Sequence, residues 1–293
     1  MIGPEQEAPR PAEGEGFGDA VTYAFGDSAT NLYGSARFGL VAGDPPHASS
    51  IVLLFHDGEV VDVASSGAVE APALDWSRVE AGDATAELVE PLRRWTVSHD
   101  GDGGGFELTF EALAPAAEVG RDEIAASAAA INGYEQLCRV RGTVRVGERS
   151  WKVDCLGQRG HTWGAPDWTR IELSRTLGVW LDDERGVALA SVRPRGAAGH
   201  EDEVVSAWVL DEQPEPIDDP RLSTTLDGGG RQLRAGLELW VDEESEQGPL
   251  RGAGEAVCGT TFDLGELRLD CSFFRWRMEG SQGVGRYDVL RRR

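Results

Sequence analysis

The stretch YEQLCRVRGTVRV (134–146), a Gly-Glu turn (147–148) and RSWKVDCL (149–156) together decide the fold class. Apolar and polar residues alternate on both sides of the turn, which is the pattern of a β-hairpin with one buried face. Cys138 and Cys155 both fall on the apolar side of this pattern. We therefore predict that the two cysteines are core residues of a half-buried sheet.

A second hairpin, in the last third of the chain, has the same plan. GEAVCGTTFDL (254–264) and LRLDCSFFRWRM (267–278) flank another Gly-Glu turn, and Cys258 and Cys271 share one face. The strings WKVDC and LRLDC, one in each hairpin, suggest two similar halves, so we predict that the two cysteine pairs occupy equivalent hairpins. No cysteine has the spacing of a zinc ligand, so we expect four reduced thiols and no bound metal.

The remainder of the chain consists mainly of short strands and turns. An Asp-Gly pair (57–58) between two apolar runs indicates a tight hairpin, and similar runs recur every 8–12 residues, as in β-sandwiches and barrels. Helical features are confined to ALDWSRVEA (73–81) and EIAASAAA (123–130), each at most two or three turns long, and an Ala-rich loop is the alternative for the second. The segments 211–220 and 244–252 have the composition of external loops. The sequence therefore predicts an all-β protein.

Composition excludes several classes of function. The 293 residues carry a net charge of -23, and such a surface repels nucleic acid and anionic membranes. No apolar run is long enough to span a bilayer. Motifs for dinucleotide binding, phosphoryl transfer and serine hydrolysis are absent. The acidic, Pro- and Gly-rich residues 1–16 are the reverse of a signal peptide, so we predict a disordered tail and a cytoplasmic protein.

One stretch concentrates chemically active side chains: GQRGHTWGAPDW (157–168). In an extended strand His161 and Trp163 point to the same face, and alternation brings Arg159 there as well. One interpretation is a His that moves a proton near an apolar ligand beside an indole. The other is a His that is hydrogen-bonded to backbone and plugs the floor of a barrel.

This stretch resembles the Gly-x-Arg-acid-His-Ser-Trp-Gly and Arg-Asp-Trp pattern of a tandem lipocalin-like family, which includes carotenoid 1,2-hydratases and AttH-like proteins. YEQLCRVRGTVRVGERSWKVDCLG (134–157) and FFRWRMEGSQGVGRYDV (273–289) are also similar to strands of that family. The resemblance implies two tandem lipocalin-like antiparallel β-barrels, at residues 17–166 and 167–293. Gly160 stands where the family has an acid.

The resemblance also implies roles for individual residues. In the hydratases of this family, the His and the Trp two residues later act in protonating and hydrating an isoprenoid double bond, and those roles fall on His161 and Trp163. We predict that Asp167 polarises the His161 imidazolium as the third catalytic residue. Candidate ligand-binding residues are Arg159, Tyr134 and Trp168.

The expected function is therefore the binding of a hydrophobic small molecule, isoprenoid- or polyketide-like, with acid-initiated hydration, cyclisation or isomerisation and no cofactor. The alternative is a non-catalytic carrier of an apolar ligand. No nucleic-acid partner and no membrane insertion are expected. The other histidines lie next to turns and are expected to face solvent: His47, His56, His99 and His200.

Overall fold

The computed structural model describes residues 2–11, 13–14, 16–119, 124–182, 184–199, 202–242 and 248–293. The chain forms two antiparallel sheets and divides into two compact units, which confirms the all-β prediction. Unit 1 comprises residues 1–118 and 132–165, and unit 2 comprises 119–131 and 166–293. No helix of the described ranges is long and apolar enough to cross a membrane.

Unit 1 contains a short 3-10 helix, Pro4–Glu7, and a sheet that is nearly closed into a barrel. Its strands are β1 Gly18–Asp27, β2 Leu32–Val41, β3 His47–His56, β4 Glu59–Glu70, β5 Arg78–Ala81, β6 Ala84–Glu90, β7 Arg94–Asp100, β8 Gly104–Ala112, β9 Ala117–Val119, β10 Ile131–Val146 and β11 Arg149–Gly164. The order is β4-β3-β2-β1-β11-β10-β8-β7-β6-β5, with β9 beside β10. The Ser50 hydroxyl donates to the Ala81 carbonyl over 2.9 Å and so links β3 to β5 across the seam.

Unit 2 contains a nine-stranded half-barrel. Its elements are α1 Ile124–Ala129, β12 Ile171–Leu181, β13 Gly186–Pro194, β14 Val204–Leu210, β15 Glu215–Pro216, β16 Asp219–Leu226, β17 Gln232–Trp240, β18 Leu250–Leu264, β19 Leu267–Met278 and β20 Ser281–Arg292. The strand order is β15-β14-β13-β12-β20-β19-β18-β17-β16. In both sheets the first strand pairs with the last, which brings the two ends of the strand sequence together.

Local predictions are confirmed where the turn chemistry is strong. Asp57 and Gly58 both have positive φ, as a tight type I′ hairpin turn requires, and they join β3 to β4. The helix predicted over 73–81 is wrong: the Asp75 carboxylate accepts the Ser77 amide in a turn, and β5 follows. The hydrogen bond from the Ser77 amide to the Asp75 side chain competes with helix formation and outweighs a weak helical pattern.

The loop and second helix predictions have mixed outcomes. The predicted helix at 123–130 is present as α1, although Glu123 lies outside the described residues. The predicted loop at 211–220 includes β15 and the start of β16. Residues 244–247 of the other predicted loop, and His200, lie outside the described residues.

The four cysteines are all buried and free, as predicted. The equivalence of their hairpins, however, is wrong. Cys138 and Cys155 lie on β10 and β11, the last two strands of their sheet, whereas Cys258 and Cys271 lie on β18 and β19, one strand earlier in theirs. The two strings therefore match by chance, because an alternating strand with one buried Cys is easily produced twice.

Burial raises the pKa of Cys138, Cys155 and Cys258 to about 12, so almost no thiolate forms at neutral pH. We expect none of the four thiols to react with Ellman's reagent at pH 8 within minutes, and all four to react in guanidinium chloride. Prompt labelling of the native protein would contradict the burial described here.

Candidate functional site

The inner face of β11 carries the side chains singled out in the sequence. The register against β1 places Tyr23 opposite Arg159 and Asp19 opposite Trp163, with His161 between the two pairs. Side chains of alternate residues share a face of the sheet, so Arg159, His161 and Trp163 lie in a row as predicted. Gly160 is on the opposite face, where an added Cβ would clash with the Glu135 carboxylate.

The acid that contacts His161 is Asp19. Nε2 of His161 lies 2.7 Å from Oδ1 of Asp19. The other oxygen, Oδ2, accepts hydrogen bonds from Nε1 of Trp76 at 3.1 Å and from the Arg10 amide at 2.9 Å. Because Asp19 accepts from these N–H groups, we assign the Nε2 proton to His161 as a donor to Oδ1.

The second ring nitrogen of His161 faces a hydroxyl. Nδ1 lies 3.4 Å from Oη of Tyr134, a long contact that leaves the nitrogen lone pair available. Three aromatic rings meet the imidazole edge-on, with centroid distances of 5.7 Å to Trp76, 5.5 Å to Tyr134 and 5.2 Å to Trp163. The imidazole is fully buried in this aromatic enclosure.

Burial lowers the pKa of His161, and the nearby Arg159 guanidinium lowers it further, against the opposing effect of Asp19. The imidazole is therefore neutral at ordinary pH. Burial also raises the pKa of Tyr134, so its hydroxyl stays protonated. A neutral His with one nitrogen held by a carboxylate and the other open is arranged as a general base. The imidazolium donor predicted from sequence is not the resting form.

Arg159 is a buried charge, and the carboxylate that it contacts is that of Glu7. Its side chain is 1% exposed, and Nη2 donates to Oε2 of Glu7 at 2.5 Å. The guanidinium stacks over the rings of Trp95 and Tyr134, each at 4.8 Å from the centroid. Its Nε and Nη1 atoms have no hydrogen-bond partner within the described ranges. The guanidinium is thus held by Glu7, by ring faces, and by the nearby side chains of Tyr23 and Tyr134.

That acid comes from residues 3–10, which we call the N-terminal segment. Sequence analysis predicts disorder here, but the structure shows the 3-10 helix with Glu7 buried, and Oε1 of Glu7 accepts the Leu92 amide at 2.9 Å. Arg10 lies over the Trp163 ring at 4.0 Å. The segment is ordered because it neutralises Arg159 and caps Asp19, which its composition alone does not reveal.

Four of the six predicted site residues meet at this end of unit 1: Arg159, His161, Trp163 and Tyr134. Asp167 is exposed, and its carboxylate accepts hydrogen bonds from the backbone and hydroxyl of Thr169. Trp168 is half-buried and packs against a small buried cluster of unit 2 that contains Ile171 and Val192. Asp19 therefore takes the place predicted for Asp167.

Four further members of the site were not predicted from the sequence: Glu7, Arg10, Asp19 and Trp76. Asp19 had a signal, since an acid in an apolar strand is unusual, but nothing local connects it to His161.

The solvent-facing prediction for His99 is wrong: the side chain is buried, with Nε2 2.6 Å from Oδ2 of Asp62. Strand β4 supplies that acid from far away in sequence, while His56 is half-buried against Trp151. Over the described residues, no three His, Cys, Asp or Glu side chains form a group that could hold a metal ion.

Solved structures of the same fold are known. An AttH-like protein from Nitrosomonas europaea superposes with a TM-score of 0.70 at 11% identity, covering 93% of this chain and 91% of its own. Kievitone hydratase from Nectria haematococca gives 0.63 at 10% identity, with 94% and 88% covered. CghA, crystallised with Sch210972, gives 0.65 at 12% identity, with the same coverage. These similarities establish the fold and agree with the resemblance drawn from sequence.

No curated protein matches the chain. A family model does match, over residues 3–293, and it spans both units and the N-terminal segment. The chain therefore belongs to the family described as DUF7064, a domain of unknown function.

Proposed function

We propose that this protein binds a hydrophobic small molecule at the His161 end of unit 1 and transfers a proton on it, in a hydration, cyclisation or isomerisation. The observation that carries the proposal is the buried Asp19–His161 pair with Nδ1 directed at Tyr134. His161 is hydrogen-bonded to an acid rather than to backbone, and its second ring nitrogen faces a hydroxyl; the two features together favour a proton-transfer site over a plugged barrel floor.

The chemistry follows from the resting protonation state. Neutral His161 accepts a proton at Nδ1, either from the bound molecule or from a water that adds to it, while Asp19 stabilises the imidazolium that forms. That imidazolium then returns the proton to a different atom of the same molecule. The indole rings of Trp76 and Trp163 pack against the imidazole and exclude solvent from the proton transfer.

Similar structures support the class of ligand. One relative of the fold is named as a hydratase, and another was crystallised with the small molecule Sch210972. Carriage of an apolar ligand without catalysis is the second candidate, favoured by the complete burial of His161 beneath the N-terminal segment. An isoprenoid- or polyketide-like ligand and a cytoplasmic location remain predictions.

Catalysis can be separated from carriage without knowing the substrate. The purified protein is exposed to a small-molecule extract of its source cells, washed, and extracted for mass spectrometry. The captured molecule is then incubated with fresh protein in D₂O. We expect wild type to introduce deuterium at carbon or to add a water, and His161→Gln to slow this at least about a hundredfold while still binding.

The matched control is His99→Gln, which removes a second buried His–Asp pair in the same unit, away from Trp163. This variant should retain the wild-type rate per folded molecule. If wild type captures a molecule but returns it without isotope or mass change, the protein is a carrier and the catalytic proposal fails.

The lowered pKa of His161 also predicts a pH dependence of stability. Below the ordinary His pKa of about 6.5 the unfolded chain binds a proton that folded His161 resists, so the free energy of unfolding falls as pH drops through that window. Urea denaturation at pH 7.5 and 5.5 should show a smaller loss for His161→Gln than for wild type. Equal losses would mean that His161 titrates normally in the folded protein.

A further inference from the structure

We propose that the molecule bound at this site is an organic carboxylate with an apolar body, and that its carboxylate displaces Glu7 from Arg159. This inference rests on the proposed function and specifies its substrate class. It starts from the ion pair between Nη2 of Arg159 and Oε2 of Glu7, whose side chains are 1% and 5% exposed.

Access to His161 requires the N-terminal segment to move. The imidazole is fully buried, and the segment lies against its two neighbours, with the Arg10 amide on Asp19 and the Arg10 guanidinium over Trp163. None of the described residues 2–11 belongs to a strand, so the segment can leave without breaking sheet pairing. Its departure also removes Glu7 from the interior.

Departure of Glu7 leaves Arg159 with a charge to be compensated. The guanidinium stays in place because it lies over the rings of Trp95 and Tyr134, and an uncompensated buried charge is strongly unfavourable. Arg159 matches a carboxylate with two-point geometry, and its Nε and Nη1 have hydrogen bonds still to make. A ligand that carries its own carboxylate replaces the negative charge that Arg159 loses when Glu7 leaves.

The position of Arg159 also orients such a ligand. Residues two apart on a strand lie roughly 7 Å from one another, so a carboxylate on Arg159 places atoms a few bonds away beside His161. Tyr134 contacts both side chains and forms the wall between them. The proton transfer would therefore occur a few atoms from the carboxylate.

Paired probes test the proposal: cis-parinaric acid and its uncharged methyl ester, titrated by fluorescence. The decisive quantity is the ratio of acid affinity to ester affinity. We expect Glu7→Ala to raise this ratio at least tenfold over wild type, because the competing carboxylate is gone. The double variant Glu7→Ala/Arg159→Met should bind acid and ester equally.

Glu5→Ala is the matched control, since Glu5 is an exposed acid in the same 3-10 helix. It should leave the ratio unchanged. Glu7→Gln, which keeps the side-chain size and an acceptor for Leu92, provides a second test if Glu7→Ala does not fold, with the same increase expected. If both probes bind but removal of Glu7 leaves the ratio unaltered, the carboxylate proposal is overturned and the proposed function stands. If neither probe binds any variant, the carboxylate proposal is overturned, and the proposed function is decided by the capture experiment in D₂O.

Discussion

A guanidinium inside an apolar barrel must have a compensating charge, and this requirement organises one whole end of unit 1. Arg159 cannot lose its proton at ordinary pH, so the structure has to surround it with favourable groups. Two ring faces and Glu7 do so. Removing one partner from a buried ion pair costs about 3–5 kcal/mol. An ion pair of this strength helps to hold in place a segment that is not hydrogen-bonded to any sheet as a strand.

The period of the β-strand then determines which chemistry surrounds that charge. On β11 every second residue faces inward, and each of these residues lies opposite a residue of β1 in the sheet. Asp19 lies opposite Trp163, and from that position its carboxylate reaches the neighbouring imidazole diagonally. A shift of one residue in this register would turn His161 outward and leave the acid without its partner.

The sequence is informative wherever the determining interaction is local. Alternation in 134–156 correctly predicts the hairpin and the buried faces of Cys138 and Cys155, and alternation also groups Arg159, His161 and Trp163. It fails where the partner is distant along the chain. Asp19 is 142 residues from His161, and no spacing rule connects them. Asp167 is close in sequence, but its carboxylate is satisfied by the turn that it caps.

Composition misleads for a related reason. Low hydrophobicity and high charge indicate disorder because such segments cannot bury enough apolar surface. The N-terminal segment escapes that rule, since its order depends on one carboxylate reaching one buried cation. Similarly, the five-residue similarity between the two cysteine hairpins reflects only the alternating pattern that half-buried strands share. The strand order shows that the hairpins do not occupy equivalent positions.

The distance in sequence between Glu7 and Arg159, 152 residues, has a consequence for biosynthesis. Residues 3–10 leave the ribosome before any strand of the first sheet, yet the cation that holds them is on β11, the last strand of that sheet. The segment therefore cannot form its ion pair with Arg159 until β11 has been synthesised. The ion pair between Glu7 and Arg159 can therefore form only in a chain whose first sheet is complete.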